Sequence, residues 1–305
     1  MKIQEFIDAQ LAAWPMAKGN FDALKGVETK EFDHAGMHFK VQFNPTRIVS
    51  SGAKVDAASL AARPCFLCEK NRPAEQIGLE WGENYTVLIN PFPIFPRHLT
   101  VPEKAHTLQK IEGRMADMIK LASELEGYTV FYNGPRCGAS APDHMHFQAG
   151  NTDFLTLPEA LENAEQKVIA SDGESTLSLV DSLPLKLFVI DAAEAEEGAR
   201  LFERLYKALP VPEGEYEPMM NILGWGTPAG VRVAVIPRKR HRPSFYGTEG
   251  DDCMLISPAS VDMGGVYITP RPADFERFDA DTVKRLLDEL CLSETEINAI
   301  ASDVE

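Results

Sequence analysis

Apolar residues recur at helical spacing from the start of the chain. Ile3, Phe6, Ile7, Leu11 and Trp14 fall on one face and predict an amphipathic helix. A strand is predicted over residues 38–43, followed by the turn-rich stretch ARPCFLCEKNRP. Strands over 85–89 and 98–101 flank a proline-rich turn at 90–96. Over 107–126 the residues Leu108, Ile111, Met115, Met118, Ile119 and Ala122 keep one helical face apolar. A strand over 128–132 then leads into the loop NGPRCGASAPD, and HMHFQAG reads as the strand that closes this part. Strands, a long helix and further strands in that order predict an α+β fold, an antiparallel sheet with a helix against it.

Residues 155–173 read as a helix running into a polar turn, a seam that divides the chain into parts 1–165 and 166–305. The second part is predicted to hold strands over 185–190, 220–223, 231–236, 254–256 and 265–268. A helix over 194–209 and a helical region from 281 complete it. An echo links the two parts: a strand ending Val101-Pro102-Glu103-Lys104-Ala105-His106 in the first, and Ile236-Pro237-Arg238-Lys239-Arg240-His241 in the second. Strand, then Pro-x-Lys-x-His, occurs twice, as a duplicated unit would show.

Composition narrows the function. The 305 residues are 44% hydrophobic and 25% charged, in the range of an ordinary globular protein. No run approaches the roughly 18 apolar residues of a membrane span. Glu5 and Asp8 interrupt the first apolar stretch, so it does not read as a signal peptide, and a cytoplasmic setting is expected. Thirty basic against 46 acidic residues give a net charge of −16, which argues against non-specific binding to nucleic-acid backbone. A small phosphorylated ligand stays open if the few cations converge.

The chemistry concentrates in Asp143-His144-Met145-His146-Phe147-Gln148. Alternation along a strand would put His144, His146 and Gln148 on one face and Met145 and Phe147 in the core. A plain half-buried strand explains the alternation, but not two imidazoles and an amide in its polar positions. Upstream, Gly134 and Gly138 permit backbone turns that let N–H groups converge on an anion, and Ser140 adds a hydroxyl. Alone this is a connecting loop; beside the histidines it becomes a phosphate cradle. Cys65 and Cys68 have the spacing of half a zinc knuckle and need two further ligands, failing which they are buried thiols. Asn90 and Arg97 bracket a stiff Pro-rich turn, and either it is only a turn or both residues face a nucleotide. The run Arg238, Lys239, Arg240, His241, Arg242 is a solvated patch or a polyphosphate contact.

On these residues the chain resembles the HIT-like superfamily, in the branch of galactose-1-phosphate uridylyltransferases, dinucleoside-polyphosphate (Ap4A) phosphorylases and GDP-hexose phosphorylases. NPFPIFPRHLTVPEKAH resembles that superfamily's strand–turn–strand, HMHFQ its His-x-His-x-Gln signature, and CFLCEKNRP the uridylyltransferase zinc knuckle. Asp143 before His144, and Phe-Gln-Ala after His146, resemble the phosphorylases. The resemblance covers roughly residues 60–150; the remainder is similar only to a divergent second HIT-like half without His-x-His.

The resemblance implies that Cys65, Cys68, His106 and His144 bind a structural metal, zinc or alternatively iron. It makes His146 the nucleophile and Gln148 its catalytic partner, with Asn133, Gly138 and Ser140 holding phosphate. It implies a nucleotide or nucleotide-sugar substrate and a phosphate-bearing acceptor, and leaves a homodimer open. Reaction through a nucleotidyl-histidine intermediate is the function expected, with a HIT-type hydrolase or a non-catalytic nucleotide-binding module as the alternatives. An imidazole with a pKa near 6.5 is neutral and nucleophilic at physiological pH.

Overall fold

A computed structural model of the protein describes residues 2–48, 59–60, 62–247, 249–250 and 252–304. Two strands near the start, β1 (Glu28–His34) and β2 (Met37–Phe43), are followed by β3 (Leu79–Trp81), β4 (Tyr85–Ile89), β5 (His98–Pro102), β6 (Tyr128–Asn133) and β7 (His146–Asn151). The later strands are β8 (Lys167–Asp172), β9 (Ser175–Val180), β10 (Leu187–Ala192), β11 (Met220–Thr227), β12 (Gly230–Pro237) and β13 (Val266–Thr269). The expected α+β architecture is present. One antiparallel sheet runs β3-β4-β5-β7-β6-β11-β12-β10-β9-β8, and a smaller one runs β1-β2-β13 with β13 parallel to β2. Among the described residues no helix is long and apolar enough to cross a membrane.

The large sheet repeats its own topology. Three strands, the helix Met115–Glu124 and two more strands give the order β3-β4-β5-β7-β6. Three strands, the helix Ala195–Ala208 and two more strands give β8-β9-β10-β12-β11. The copies join where β6 pairs antiparallel with β11, from Asn133↔Asn221 to Thr129↔Trp225. Pairing order therefore makes β10 the counterpart of β5, and β12 the counterpart of β7. This corrects the Pro-x-Lys-x-His echo, which follows β5 in one copy and β12 in the other and so links positions that are not equivalent. Residues 134–145 separate β6 from β7, whereas only Pro228 and Ala229 separate β11 from β12. The second copy has no room for a loop like that of the first.

Alternation along these strands sends apolar side chains to both faces. Val87, Val101, Val130, Tyr132, Phe147, Ile222 and Val233 pack under the two repeat helices, against Met118, Leu121, Leu201 and Phe202. Phe131, Leu223, Trp225, Ala234 and Ile236 pack on the other face, against Phe39, Val41 and Tyr267 of the small sheet and Val283 and Leu286 of the helix Ala280–Leu290. Each Val, Leu, Ile, Phe or Met among them contributes about 1.5–3 kcal/mol by leaving water. Both cores draw on both copies, so the copies are stabilised together.

Several expected elements are displaced. The helix expected over 107–126 begins only at Met115, after Gly113 at φ +75°. Gln109 is held instead by bonds to the backbone of β6 and β7, and the Ile111 N–H by the Glu217 carboxylate at 2.6 Å. The helix and polar turn expected over 155–173 is a helix, Leu157–Asn163, followed by β8. β8 is an edge strand with a single buried residue, which hides the alternation that marks a strand. β1 was missed for the same reason. Residues 254–256 make a single bridge, Tyr246↔Met254, and no strand.

Candidate active site

Registers on the large sheet place seven side chains on one face at one end. β5 pairs with β7 through His98↔Gly150, Thr100↔Gln148 and Pro102↔His146, and β6 with β7 through Phe131↔Gln148. His146, Gln148, His98, Thr100, Phe131 and Asn133 thus share the face, and Asn90 joins them beside His98 through its N–H on the His98 carbonyl (2.8 Å). His146 is 3% exposed. Its Nδ1–H donates to the His144 carbonyl at 2.8 Å, which leaves the lone pair on Nε2. Burial pushes its pKa down to about 4, so the ring is neutral at physiological pH.

Two residues that sequence reasoning left without a role hold this arrangement. Gln109 is fully buried. Its Oε1 accepts the His146 N–H (2.8 Å), and its Nε2 donates to the carbonyls of His146 (3.1 Å) and Asn133 (3.0 Å). His98 accepts the Ile94 N–H at Nδ1 (3.1 Å), so its proton sits on Nε2 and is donated to Gln148 Oε1 at 3.0 Å. Asn90 Nδ2 donates to the same oxygen at 3.3 Å. With Oε1 held twice, the Gln148 amide N–H groups point away from His98. Gln109 lay in a segment expected to be helical, and His98 closed the proline-rich turn; neither position carried a spacing signal.

His144 corrects the expected strand. β7 begins at His146, and His144 lies in the preceding bend, its N–H on the Ala141 carbonyl (3.1 Å). Released from the sheet, its ring turns toward the cysteines. Its Nε2–H donates to the Glu103 carbonyl (2.7 Å), and its Nδ1 lies 3.3 Å from Cys65 Sγ and 3.6 Å from Cys68 Sγ. His106 Nδ1 lies 3.2 Å from both Cys68 Sγ and His144 Nδ1. The four ligand atoms fall within 4.8 Å of one another, and the cluster could hold a metal ion. A tetrahedral zinc with ordinary bond lengths would set its ligands about 3.3–3.8 Å apart, close to these separations. Burial opposes ionisation of Cys65, yet the His144 ring beside it and hydrogen bonds from the N–H groups of Leu67 and Cys68 bring its thiol down to about 6. Arg114 in turn grips the carboxylate of Glu103, whose carbonyl orients His144. An open cavity of about 610 Å³ adjoins the cluster, lined in part by Arg63, Asn71 and Asp143.

The 134–145 loop differs in detail from the expected cradle. The Gly134 N–H is taken by the Met220 carbonyl (3.1 Å), and a Cβ there would lie 2.7 Å from that oxygen, so Gly134 serves close strand approach. Gly138 has the positive φ, +97°. A Cβ at Gly138 would lie 2.4 Å from Ala259 Cβ. Gly138→Ala is expected to destabilise the fold by about 2–5 kcal/mol through left-handed strain and overpacking; chemical denaturation checks this, and an unchanged midpoint refutes it. Ser140 is exposed, and its carbonyl accepts from Arg63 (3.2 Å).

Two expectations about cations are corrected. Arg97 does not join His146: its guanidinium stacks on the Tyr128 ring at 5.2 Å, on the face shared with Val130 and Tyr132. The basic run is not a uniform solvated patch either. Arg238 is 4% exposed, while Arg240 pairs with Glu289 and Arg242 stacks on Tyr246.

Residues 6–151 match the family described as "Domain of unknown function (DUF4922)", and residues 160–304 match "GDPGP1-like, C-terminal domain". No curated protein matches the sequence significantly. Among solved structures, yeast Ap4A phosphorylase is similar over 91% of this chain and 94% of its own, at 18% identity and a TM-score of 0.57. Its complex with Ap4A gives 17% identity over 92% and 97% of the two chains, TM-score 0.58. Its complex with AMP gives 18% identity over 92% and 96%, TM-score 0.59.

Proposed function

We propose that this chain, which has the HIT-like fold in the form found in Ap4A phosphorylase, is a nucleotide phosphorylase acting through a nucleotidyl-histidine. The observation that carries the reading is the His146 tautomer. Its Nδ1 proton is committed to the His144 carbonyl, which leaves a nucleophilic Nε2 on the face shared with Gln148 and Asn133. The solved complexes of yeast Ap4A phosphorylase with Ap4A and AMP support a nucleotide substrate. A nucleotide sugar or a dinucleoside polyphosphate fits, with inorganic phosphate or a sugar phosphate as acceptor.

In the first step Nε2 attacks the α-phosphorus, a P–N bond forms, and the P–O bond to the rest of the polyphosphate breaks. In the second step a phosphate oxygen of the acceptor attacks the same phosphorus and the P–N bond breaks, returning neutral His146. Two displacements replace one harder one. Gln148 and Asn133 supply amide N–H groups to the phosphoryl oxygens, and Gly138 and Ser140 belong to the 134–145 loop that joins Asn133 to His146. Asn90 acts by orienting Gln148. Cys65, Cys68, His106 and His144 would hold zinc, or alternatively iron, which would tie the cysteine turn to the catalytic strand as a structural ion. A cytoplasmic setting goes with this reading, since reducing conditions keep such thiols free for metal. Residues 1–165 form the catalytic half and 166–305 a HIT-like half without a nucleophile.

Intact-mass spectrometry after incubation with Ap4A and with the ADP, GDP, UDP and CDP esters of glucose tests the reading. A nucleotidyl adduct that inorganic phosphate discharges to a nucleoside diphosphate is expected. An adduct discharged only by water would make the protein a hydrolase, and no adduct with any of them would overturn the reading. Gln148→Ala is expected to cost about 2.7–4 kcal/mol of transition-state stabilisation, seen in kcat with the fold intact. Unchanged kcat would remove Gln148 from the chemistry.

A further inference from the structure

A buried chain of polar side chains reaches from the second copy of the repeat to the candidate site. Arg238 stands at its far end. Its Nη1 donates to Asn221 Oδ1 (2.6 Å) and the Pro258 carbonyl (3.2 Å), and its Nη2 to the carbonyls of Arg240 (3.1 Å) and His241 (3.2 Å). A guanidinium only donates, so the Asn221 atom that faces it must be the oxygen. Asn221 Nδ2 therefore points the opposite way, 2.8 Å from the Cys137 carbonyl, 3.2 Å from Asn133 Oδ1 and 3.2 Å from Ser260 Oγ. That nitrogen also only donates, so the Asn133 atom facing it must again be the oxygen. The Ser260 N–H donates to the same oxygen at 2.8 Å, and Ser260 Oγ donates to the Tyr132 carbonyl at 2.8 Å.

The direction left for the Asn133 amide follows from the sheet. In the order β7-β6-β11, Asn133 lies between His146 on one neighbour and its register partner Asn221 on the other. Its oxygen is held on the β11 side. Its Nδ2 is turned toward β7 and His146, and has no partner among the described residues. Asn221 and Ser260 are fully buried and Arg238 nearly so. A cation buried among carbonyl and amide oxygens is expensive to fold around, a cost that packing alone would avoid by using an apolar side chain.

We propose that Arg238 and Asn221 are positioning residues for the reaction at His146. Arg238 fixes the Asn221 amide, and Asn221 Nδ2 together with the Ser260 N–H then fixes the Asn133 amide with its N–H groups toward the phosphate. The same contacts pin the Cys137 carbonyl and hence the start of the phosphate loop. The noncatalytic half is thereby a working part of the site, and Arg238 acts at a distance with no contact to substrate. This rests on the reading of Asn133 as a phosphate ligand.

Asn221→Asp tests it, because it keeps shape and the Arg238 partner but sets an acceptor against Asn133 Oδ1. At saturating substrate the rate of adduct formation at His146 is expected to fall by about 30–100-fold, with KM within about threefold of the parent. Ser175→Ala, which removes the bond from a buried serine in β9 to Glu197, is the control for stability loss alone and is expected to leave the rate unchanged. A folded Asn221→Asp protein with a rate within about twofold of wild type would overturn the proposal, as would a loss matched by Ser175→Ala. Should Asn221→Asp fail to fold, Arg238→Met, which keeps the length of the side chain and removes the donor to Asn221 Oδ1, is judged by the same criteria. A second readout needs no turnover: in ¹⁵N spectra the Asn133 side-chain amide, assigned by its absence in Asn133→Asp, is expected to shift with AMP in wild type and not in Asn221→Asp. If wild type forms no adduct, the proposed activity fails while the amide shift still judges the brace. An Asn133 amide that ignores AMP in wild type would overturn the brace.

Discussion

His146→Ala is expected to lower turnover by a factor on the order of 10⁴–10⁶ and to leave no nucleotidyl adduct on the protein. The variant removes a buried ring but leaves the strand that carries it held. The backbone of His146 is gripped on both sides by Gln109, through its N–H and its carbonyl, and these bonds survive truncation. The strand keeps its pairing at Pro102↔His146, and Phe147 stays in the core beneath it. What disappears is the Nε2 lone pair held outward by the 2.8 Å bond from Nδ1–H to the His144 carbonyl. No neighbouring group replaces it: His144 Nδ1 faces the cysteines, and His98 Nε2 carries a proton bound to Gln148. Turnover with purified variant and intact-mass spectra of both proteins check the expectation. Substantial transfer in the variant, or an adduct of wild-type yield, would assign the nucleophile elsewhere.

The parts of this site legible in the sequence were those with a local period. Alternation in HMHFQAG correctly grouped His146 with Gln148 and sent Met145 and Phe147 to the core. It failed for His144, because a strand pattern does not reveal where the strand begins, and a bend two residues earlier freed that ring. The helix Ala195–Ala208 and strands β4 and β6 appeared within a residue or two of their expected bounds, since each has one strongly apolar face. The orienting residues had no such mark. Gln109 acts through a side chain that spans two strands, His98 through a tautomer set by the Ile94 N–H, and Arg238 through partners 17 and 20 residues away. Their roles depend on which strands become neighbours, and nonlocal pairing order is not written in any short window. The Pro-x-Lys-x-His echo failed for the same reason: the duplication is present, but topology aligns β5 with β10, where the shared residues do not lie.

Protein purified without chelator is expected to carry about one zinc or similar ion per chain, and Cys65→Ser to lose it. The geometry makes the two effects one. Cys65 and Cys68 belong to the turn after residue 62, His106 follows β5, and His144 precedes β7, so an ion bound by all four clamps three separated segments. Their ligand atoms already lie 3.2–3.6 Å apart in the contacts among Cys65, Cys68, His106 and His144. Cys65 is the ligand whose loss should matter most. The N–H groups of Leu67 and Cys68 donate to its sulfur and favour the thiolate, the form that binds metal. Serine keeps the shape but is a poor ligand for a soft site. A loss of about 3 kcal/mol would lower the melting temperature by roughly 5 °C for a protein of this size, because part of the metal-binding energy is folding energy. Turnover should fall less than stability, since the His146 tautomer depends on the His144 carbonyl and not on the ion. Elemental analysis and thermal melts of both proteins decide the matter. A well-folded, active wild type with no metal would leave Cys65 and Cys68 as buried thiols, and the assignment of His146 would stand on its own residues.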